Sequence, residues 1–286
     1  RGGIDPGFVR LKEPPASTQR LLSKFGVRGP FLLYTASFDQ RKNQAGLIQA
    51  FARVKAAARH GYKLVIVGNG TQPIYDELKS WAARHGLNAD DVVFTGRVAD
   101  DDLIGLYNLC SLFVFASLWE GLGLPVLEAM ACGAPVISSN TTSLPEVVGL
   151  EEAEFDPTDI EEMSQRIEAA ITDSSFRARL VAHGLEHSRN FTWDESARRA
   201  WAAVERARDV ARATRPQIVH SKSCTGDDVL DALASQQLRE PQLREISHCL
   251  AANELQLGAE WSATDRTKIG WVSSWGTRCG IASYSR

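Results

Sequence analysis

The chain has 286 residues, 44% hydrophobic and 23% charged, the composition of an ordinary globular protein of about two domains; wholesale disorder is excluded. With 32 Lys and Arg against 35 Asp and Glu, the formal net charge is −3, which gives no field for binding nucleic acid or a membrane surface by charge alone. No apolar run approaches the roughly 18 residues that span a bilayer. The opening residues do not read as a basic-then-apolar signal. Five widely spaced cysteines with no CxxC pair imply reduced thiols, so the expected compartment is the cytoplasm.

In chain order, Arg1-Gly-Gly-Ile-Asp-Pro6 reads as a turn rather than as the start of a domain. From Phe31 to Phe155, short β-rich apolar runs alternate with stretches of helical period. Strands are expected at Phe31–Thr35, Lys63–Val67, Val92–Thr95, Leu112–Phe115, Pro135–Ser138 and Ala153–Phe155, apolar along their length as strands covered on both faces are. Helices are expected between them at Ala45–Arg59, Ile74–His85, Asp101–Leu109 and Val126–Cys132. This alternation predicts an α/β fold: a Rossmann-like, doubly wound, parallel six-stranded sheet with right-handed crossovers. Helices should follow near Asp159–Ile171, Ser175–Arg189 and Trp193–Ala211, with Thr158 or Asp159 capping the first and Thr192 or Asp194 the last. Residues 1–211 form the first expected domain. Residues 212–267 read as a helical linker, with short helices around Asp227–Leu238 and Gln242–Asn253. A new strand is expected from Lys268, and because a strand and half a helix cannot bury a core, residues 268–286 read as the truncated start of a further domain.

In open α/β sheets, ligands sit beyond the carboxyl ends of the strands, beside helix N-termini. The richest such loop is Trp119-Glu-Gly-Leu-Gly-Leu-Pro-Val-Leu-Glu128. Gly121 and Gly123 let backbone amides approach a ligand, and Pro125 suits the start of a helix whose free N–H groups favour a diphosphate. Glu120 precedes this turn and Glu128 follows on the helix, so both carboxylates could accept from sugar hydroxyls; a plain structural turn with a dipole-friendly Glu remains the alternative. After the first strand, Arg41 and Lys42 precede a helix, where cations serve an anionic ligand better than they serve the helix. Solvated surface charges are the plain alternative for both.

Other motifs fail. Val67-Gly-Asn-Gly-Thr-Gln-Pro73 places Pro73 where a dinucleotide loop needs its third glycine, which disfavours a nicotinamide dehydrogenase. Neither a GxxxxGK[ST] loop nor a GxSxG elbow occurs. His183-Gly-Leu-Glu-His187 matches a metal pattern, but Gly184 weakens the helix and no third ligand is evident, so surface histidines are expected. Asn140-Thr-Thr142 and Asn190-Phe-Thr192 are glycosylation sequons, meaningful only in a secreted chain.

Together, Asp39-Gln-Arg-Lys-Asn43, Val67-Gly-Asn-Gly70, Phe94-Thr-Gly-Arg-Val98, Glu120-Gly-Leu-Gly-Leu-Pro-Val-Leu-Glu128, Ala129-Met-Ala-Cys-Gly-Ala-Pro-Val-Ile137 and Ser143-Leu-Pro-Glu-Val-Val-Gly149 resemble glycosyltransferase family 4, the group 1 glycosyltransferases. The likeness is to the C-terminal, donor-binding half of their GT-B fold, over about residues 2–211. It implies a retaining glycosyltransferase that takes its sugar from a nucleotide-diphosphate sugar, with GDP-mannose suggested, and delivers it to a glycan or lipid-linked glycan acceptor. No metal and no other cofactor is implied. Lys42 would pair with the diphosphate, with Ser37, Arg41 and Gly68 beside it. The amides of Leu122, Gly123 and Leu124 would meet phosphate and sugar. Glu120 would face the sugar, Glu128 the ribose, and the turn at Arg97-Val98 the base. Many members carry Gly-Arg after the first strand, where this chain has Ala36-Ser37.

The resemblance also explains the ends. Gly2–Phe8 looks like the segment following an N-terminal, acceptor-binding domain that would act in cis, and Lys268–Tyr284 like the start of another such domain in a tandem enzyme. The full-length protein would sit in the cytoplasm or peripherally on the inner membrane face. Two other readings compete. One is another GT-B enzyme, a sugar-nucleotide epimerase or a phosphorylase; no histidine lies in a strand-end loop and no cofactor lysine site is evident. The other is a non-catalytic nucleotide-binding scaffold, against which Lys42, Glu120 and Glu128 stand together.

Overall fold

The computed structural model describes residues 2–12 and 18–214. The expected helical linker past residue 214 and the strand from Lys268 lie outside them. Six strands among the described residues form one sheet: β1 (Phe31–Thr35), β2 (Lys63–Val67), β3 (Val92–Gly96), β4 (Leu112–Phe115), β5 (Val136–Ser139) and β6 (Glu154–Phe155). Their order is β3-β2-β1-β4-β5-β6, and every pairing is parallel. Helices on both faces bury the inner strands, so β1 and β4 are apolar and buried throughout. Phe31, Phe113 and Phe115 are among the largest fully buried side chains, each contributing about 1.5–3 kcal/mol by leaving water.

The helices are α1 (Thr18–Lys24), α2 (Gln44–Arg53), α3 (Ala56–Arg59), α4 (Gln72–Arg84), α5 (Asp100–Leu109), α6 (Leu124–Ala131), α7 (Leu144–Val148), α8 (Ile160–Thr172), α9 (Ser174–His187) and α10 (Trp193–Thr214). Several bounds depart from the sequence expectation. The helix expected over Ala45–Arg59 breaks at Val54 and Lys55, whose ψ of 132° leaves the helical region; Val54 goes into the core and Lys55 binds Glu168 of α8 at 2.7 Å. β5 starts at Val136, one residue later than expected: Pro135 has no N–H to give the ladder, although its carbonyl accepts from Phe113 N–H. α1 and α7 are new: both are short, and neither carries a run long enough for a periodicity signal. Asp159 caps α8 through Glu161 and Glu162 N–H, and Thr192 Oγ1 accepts from Glu195 N–H at the start of α10.

The order of the strands reverses between β1 and β4. Their first connection runs to one side of the sheet through α2, α3 and β2, and the later one to the other side through α6 and β5. A crevice opens beyond the carboxyl ends of strands at such a point. The loops after β1 and β4 are therefore brought side by side, although 78 residues separate Lys42 from Glu120.

Candidate functional site

Lys42 ends a single 3₁₀ turn, Gln40–Lys42, that Asp39 caps by accepting from Arg41 N–H. Tyr34 at the end of β1 donates its hydroxyl to the Lys42 carbonyl at 2.5 Å. The next residue, Asn43, adopts φ 54°, turns the chain into α2 and donates its side-chain amide to Pro157 O. The Lys42 stem passes over Phe115, with Nζ 5.9 Å from the ring centroid, and Nζ meets Glu120 Oε1 at 2.5 Å. Both side chains are largely covered, 14% and 12% exposed. Neither charge would stay in so dry a place without the other or a ligand.

The loop after β4 is tied down from two sides. Leu118 N–H donates to Arg41 O at 2.7 Å, which joins it to the loop after β1. Glu120 N–H donates to Thr142 Oγ1 at 3.1 Å, and Ser143 Oγ reaches Glu120 O and Leu122 O at 3.2 Å each, which joins it to the loop after β5. Gly123, at φ 92°, then turns the chain into α6. The helix begins at Leu124, two residues before the expected Val126, with Pro125 in its first turn. Among the described residues the N–H groups of Leu122, Gly123 and Leu124 donate to nothing. They sit where the helix dipole favours an anion, beside the Lys42 ammonium.

The earlier helix start moves Glu128 from the first turn of α6, where it was expected, to the second, and the fold buries it. Its residue is 8% exposed. Tyr107 donates its hydroxyl to Glu128 Oε2 at 3.1 Å and lies 3.2 Å from Thr35 Oγ1, so the carboxyl connects through Tyr107 to the last residue of β1. Burial raises the Glu128 pKa to about 7, with the Tyr107 hydrogen bond opposing and the Asp100 and Asp5 charges adding. This carboxyl therefore changes protonation at neutral pH.

The remaining sequence-nominated residues take distinct places. Ser37 donates to Asp39 Oδ2 at 2.9 Å. Arg41 binds the same carboxylate and lies 5.7 Å from the Trp119 ring centroid. Although burial opposes it, the Ser37 and Arg41 hydrogen bonds hold the Asp39 pKa below the usual carboxylate value. Gly68 packs against the loop after β1, so close that a Cβ there would lie 2.0 Å from Ala36 O. Val98, after β3, packs its side chain partly into the core.

The histidines expected at the surface are instead structural and half-buried. His183 Nε2 lies 2.7 Å from Val148 O and His187 Nε2 3.3 Å from Glu146 O, both on α7, with the two rings stacked at 5.1 Å. Gly184 between them packs on Met130 of α6, where a Cβ would lie 3.2 Å from the Met130 Cγ. Among the described residues no cluster of three or more metal-ligating side chains exists, and no helix is long and apolar enough to cross a membrane. The contributions of Tyr107, Thr142 and Ser143 were missed. Ser143-Leu-Pro-Glu146, a Ser three residues before a Glu with Pro between, is a helix-start signature that could have revealed α7 and the loop before it.

A doubly wound sheet with a cation, free helix amides and a carboxylate gathered at its switch point defines a Rossmann-like domain with a candidate anion site. The chain belongs to the glycosyl transferases group 1 family, whose profile matches residues 21–187. It is 42% identical over 179 residues to an Escherichia coli protein called serotype-specific mannosyltransferase WbdA, covering 63% of this chain and 22% of that one. It is 36% identical over 185 residues to the Escherichia coli O-antigen chain mannosyltransferase B, covering 64% of this chain and 48% of the relative. The chain thus spans about a fifth to a half of these relatives. The crystal structure of Anabaena Alr3699/HepE in complex with UDP and glucose superposes with a TM-score of 0.61 at 22% identity, over 72% of this chain and 55% of that one, a likeness of fold.

Proposed function

We propose that this domain binds the nucleotide-diphosphate sugar of a retaining glycosyltransferase. The observation that carries the reading is the Lys42–Glu120 pair at the switch point, set against the free amides at the start of α6. In this reading Lys42 leaves Glu120 for the donor diphosphate, and the amides of Leu122, Gly123 and Leu124 share the anion. Charge developing on the leaving diphosphate is met by the amides, which are already in place, and by Lys42 once it has turned from Glu120. Glu120, released from Lys42, turns to the hydroxyls and reacting face of the sugar. Glu128 accepts from the ribose hydroxyls as its carboxylate, and the backbone at Arg97-Val98 lines the base. Arg41, Ser37 and Gly68 shape the wall beside the diphosphate.

The relatives named as mannosyltransferases favour mannose, and GDP-mannose as its carrier. The acceptor is a glycan or lipid-linked glycan, presented by an acceptor-binding domain upstream in the same polypeptide. Transfer needs both walls of that interdomain cleft, because orientation of two substrates supplies much of the rate. The full-length enzyme works in the cytoplasm, held peripherally at the inner membrane face where a lipid-linked acceptor lies.

Calorimetric titration with GDP, UDP and ADP tests the reading. One nucleotide should bind selectively, and Lys42→Ala should weaken it. Absence of binding both here and after the upstream domain is restored would refute it.

A further inference from the structure

Resting on the donor-site reading, we propose that Thr142 and Ser143 are positioning residues that hold the Glu120 backbone so that its carboxylate discriminates the donor sugar. Thr142 is β-branched yet adopts φ 55°, a left-handed conformation such residues rarely take. Strain of this kind persists only where the surroundings impose it, and it gathers at functional sites. Here the strained residue aims its hydroxyl at Glu120 N–H, at 3.1 Å. The next residue behaves as unusually. Ser143 occupies the N-cap position of α7, but its hydroxyl makes no cap bond. It instead reaches Glu120 O and Leu122 O at 3.2 Å each, sharing one proton between them.

The rest of the loop does the same for the neighbouring residues. Thr141 Oγ1 and Ser139 Oγ both donate to Ser117 O, at 3.3 and 2.6 Å. The buried Leu144 side chain fills the space where Gly123 would carry a Cβ. The segment Ser139–Leu144 thus grips the segment Ser117–Gly123 at four of its residues. Its own helix start at α7 forgoes a cap to do so. The consequence is specific to Glu120: when Lys42 leaves for a diphosphate, the carboxylate loses its ion-pair partner, and the Thr142 and Ser143 bonds still hold the Glu120 N–H and carbonyl from which it swings.

The test compares GDP with GDP-mannose by calorimetry on wild type, Thr142→Ala and Thr142→Ser, and follows hydrogen exchange of the Glu120 amide by NMR on the same samples. Thr142→Ala should bind GDP within twofold of wild type and change the GDP-mannose to GDP affinity ratio about fivefold, the worth of one lost hydrogen bond. The Glu120 amide should exchange faster in that variant. Thr142→Ser should restore both the ratio and the exchange rate. Thr142→Gly, which relieves the left-handed φ, serves with the same expected ratio if Thr142→Ala does not fold. An unchanged ratio, or an equal loss for both ligands, would overturn the positioning role. If wild type binds neither GDP nor GDP-mannose, the donor-site reading falls and takes sugar discrimination with it; the Glu120 exchange rate still decides whether the grip exists.

Discussion

Two loops of this molecule look alike in sequence and differ in what their glycines are for. After β2, Gly68-Asn-Gly70 is closed on itself. Tyr75 donates to Gly68 O at 2.9 Å and accepts from Gly70 N–H at 2.8 Å, and Phe38, Tyr75 and Phe94 pack ring to ring around it. A side chain at Gly68 has nowhere to go, because the strand ends of β1 and β2 converge there. After β4, Gly121-Leu-Gly123 is open: a Cβ at Gly121 would meet nothing within 4 Å, and Gly123 is needed for its φ of 92°. The first loop spends its glycine on packing, the second on leaving backbone amides accessible. The second also has a cation at hand, with Lys42 on Glu120, and amides free at the start of a helix. Glycine spacing alone does not tell a ligand loop from a packing loop.

Substitutions can break or sharpen this contrast. The largest effect is expected for Gly68→Ala, whose Cβ would press on a backbone oxygen that cannot yield; a loss of about 3 kcal/mol or more should appear as a drop in denaturation midpoint. Glu128 ranks next. The native state keeps its proton up to about pH 7, whereas the unfolded chain releases it near 4.5. The folded form therefore binds more protons in that window. This group's contribution to stability falls as pH rises through it, by up to about 3 kcal/mol. Glu128→Gln should flatten the profile and leave the variant more stable than wild type at pH 8, as read by thermal unfolding. Nucleotide binding should move the opposite way in wild type, strengthening as pH rises through 7, because the carboxylate is the form that accepts from a ribose.

Smaller effects fall on the open loop. Lys42→Ala should weaken nucleotide diphosphate binding about 10- to 100-fold, the scale of a charge-assisted hydrogen bond. Glu120→Gln frees Lys42 from its largely covered ion pair and should raise GDP affinity about 10-fold, the low end of a charge-assisted hydrogen bond that the ammonium no longer has to give up; a fall instead would mean that Glu120 organises the diphosphate site. The smallest change is Gly121→Ala. It should leave stability within about 0.5 kcal/mol of wild type, in contrast to Gly68→Ala, and any loss of GDP affinity would measure how closely the backbone approaches the phosphates.

By itself the sequence determined the six strands, nearly all the helices of the sheet, and the loops that hold Lys42, Glu120 and the start of α6. These features are local: continuous apolar runs, helical period, and Gly-x-Gly-x-Pro before a helix. The short α1 and α7 escaped because neither is long enough for a helical period to show, and the break at Val54-Lys55 because its causes lie elsewhere in the chain, in the core and in Glu168. The tertiary structure alone decided three things about the site. The strand order places the loops after β1 and β4 together, which joins Lys42 to Glu120 across 78 residues. Packing of α5 against α6 puts Tyr107 on Glu128 and removes that carboxyl from water, turning an ordinary acid into one that titrates near neutrality. The loop after β5 forces Thr142 into a left-handed turn under Glu120. Each depends on which surfaces meet, and desolvation, ion pairing and strain arise only between groups the fold has brought into contact.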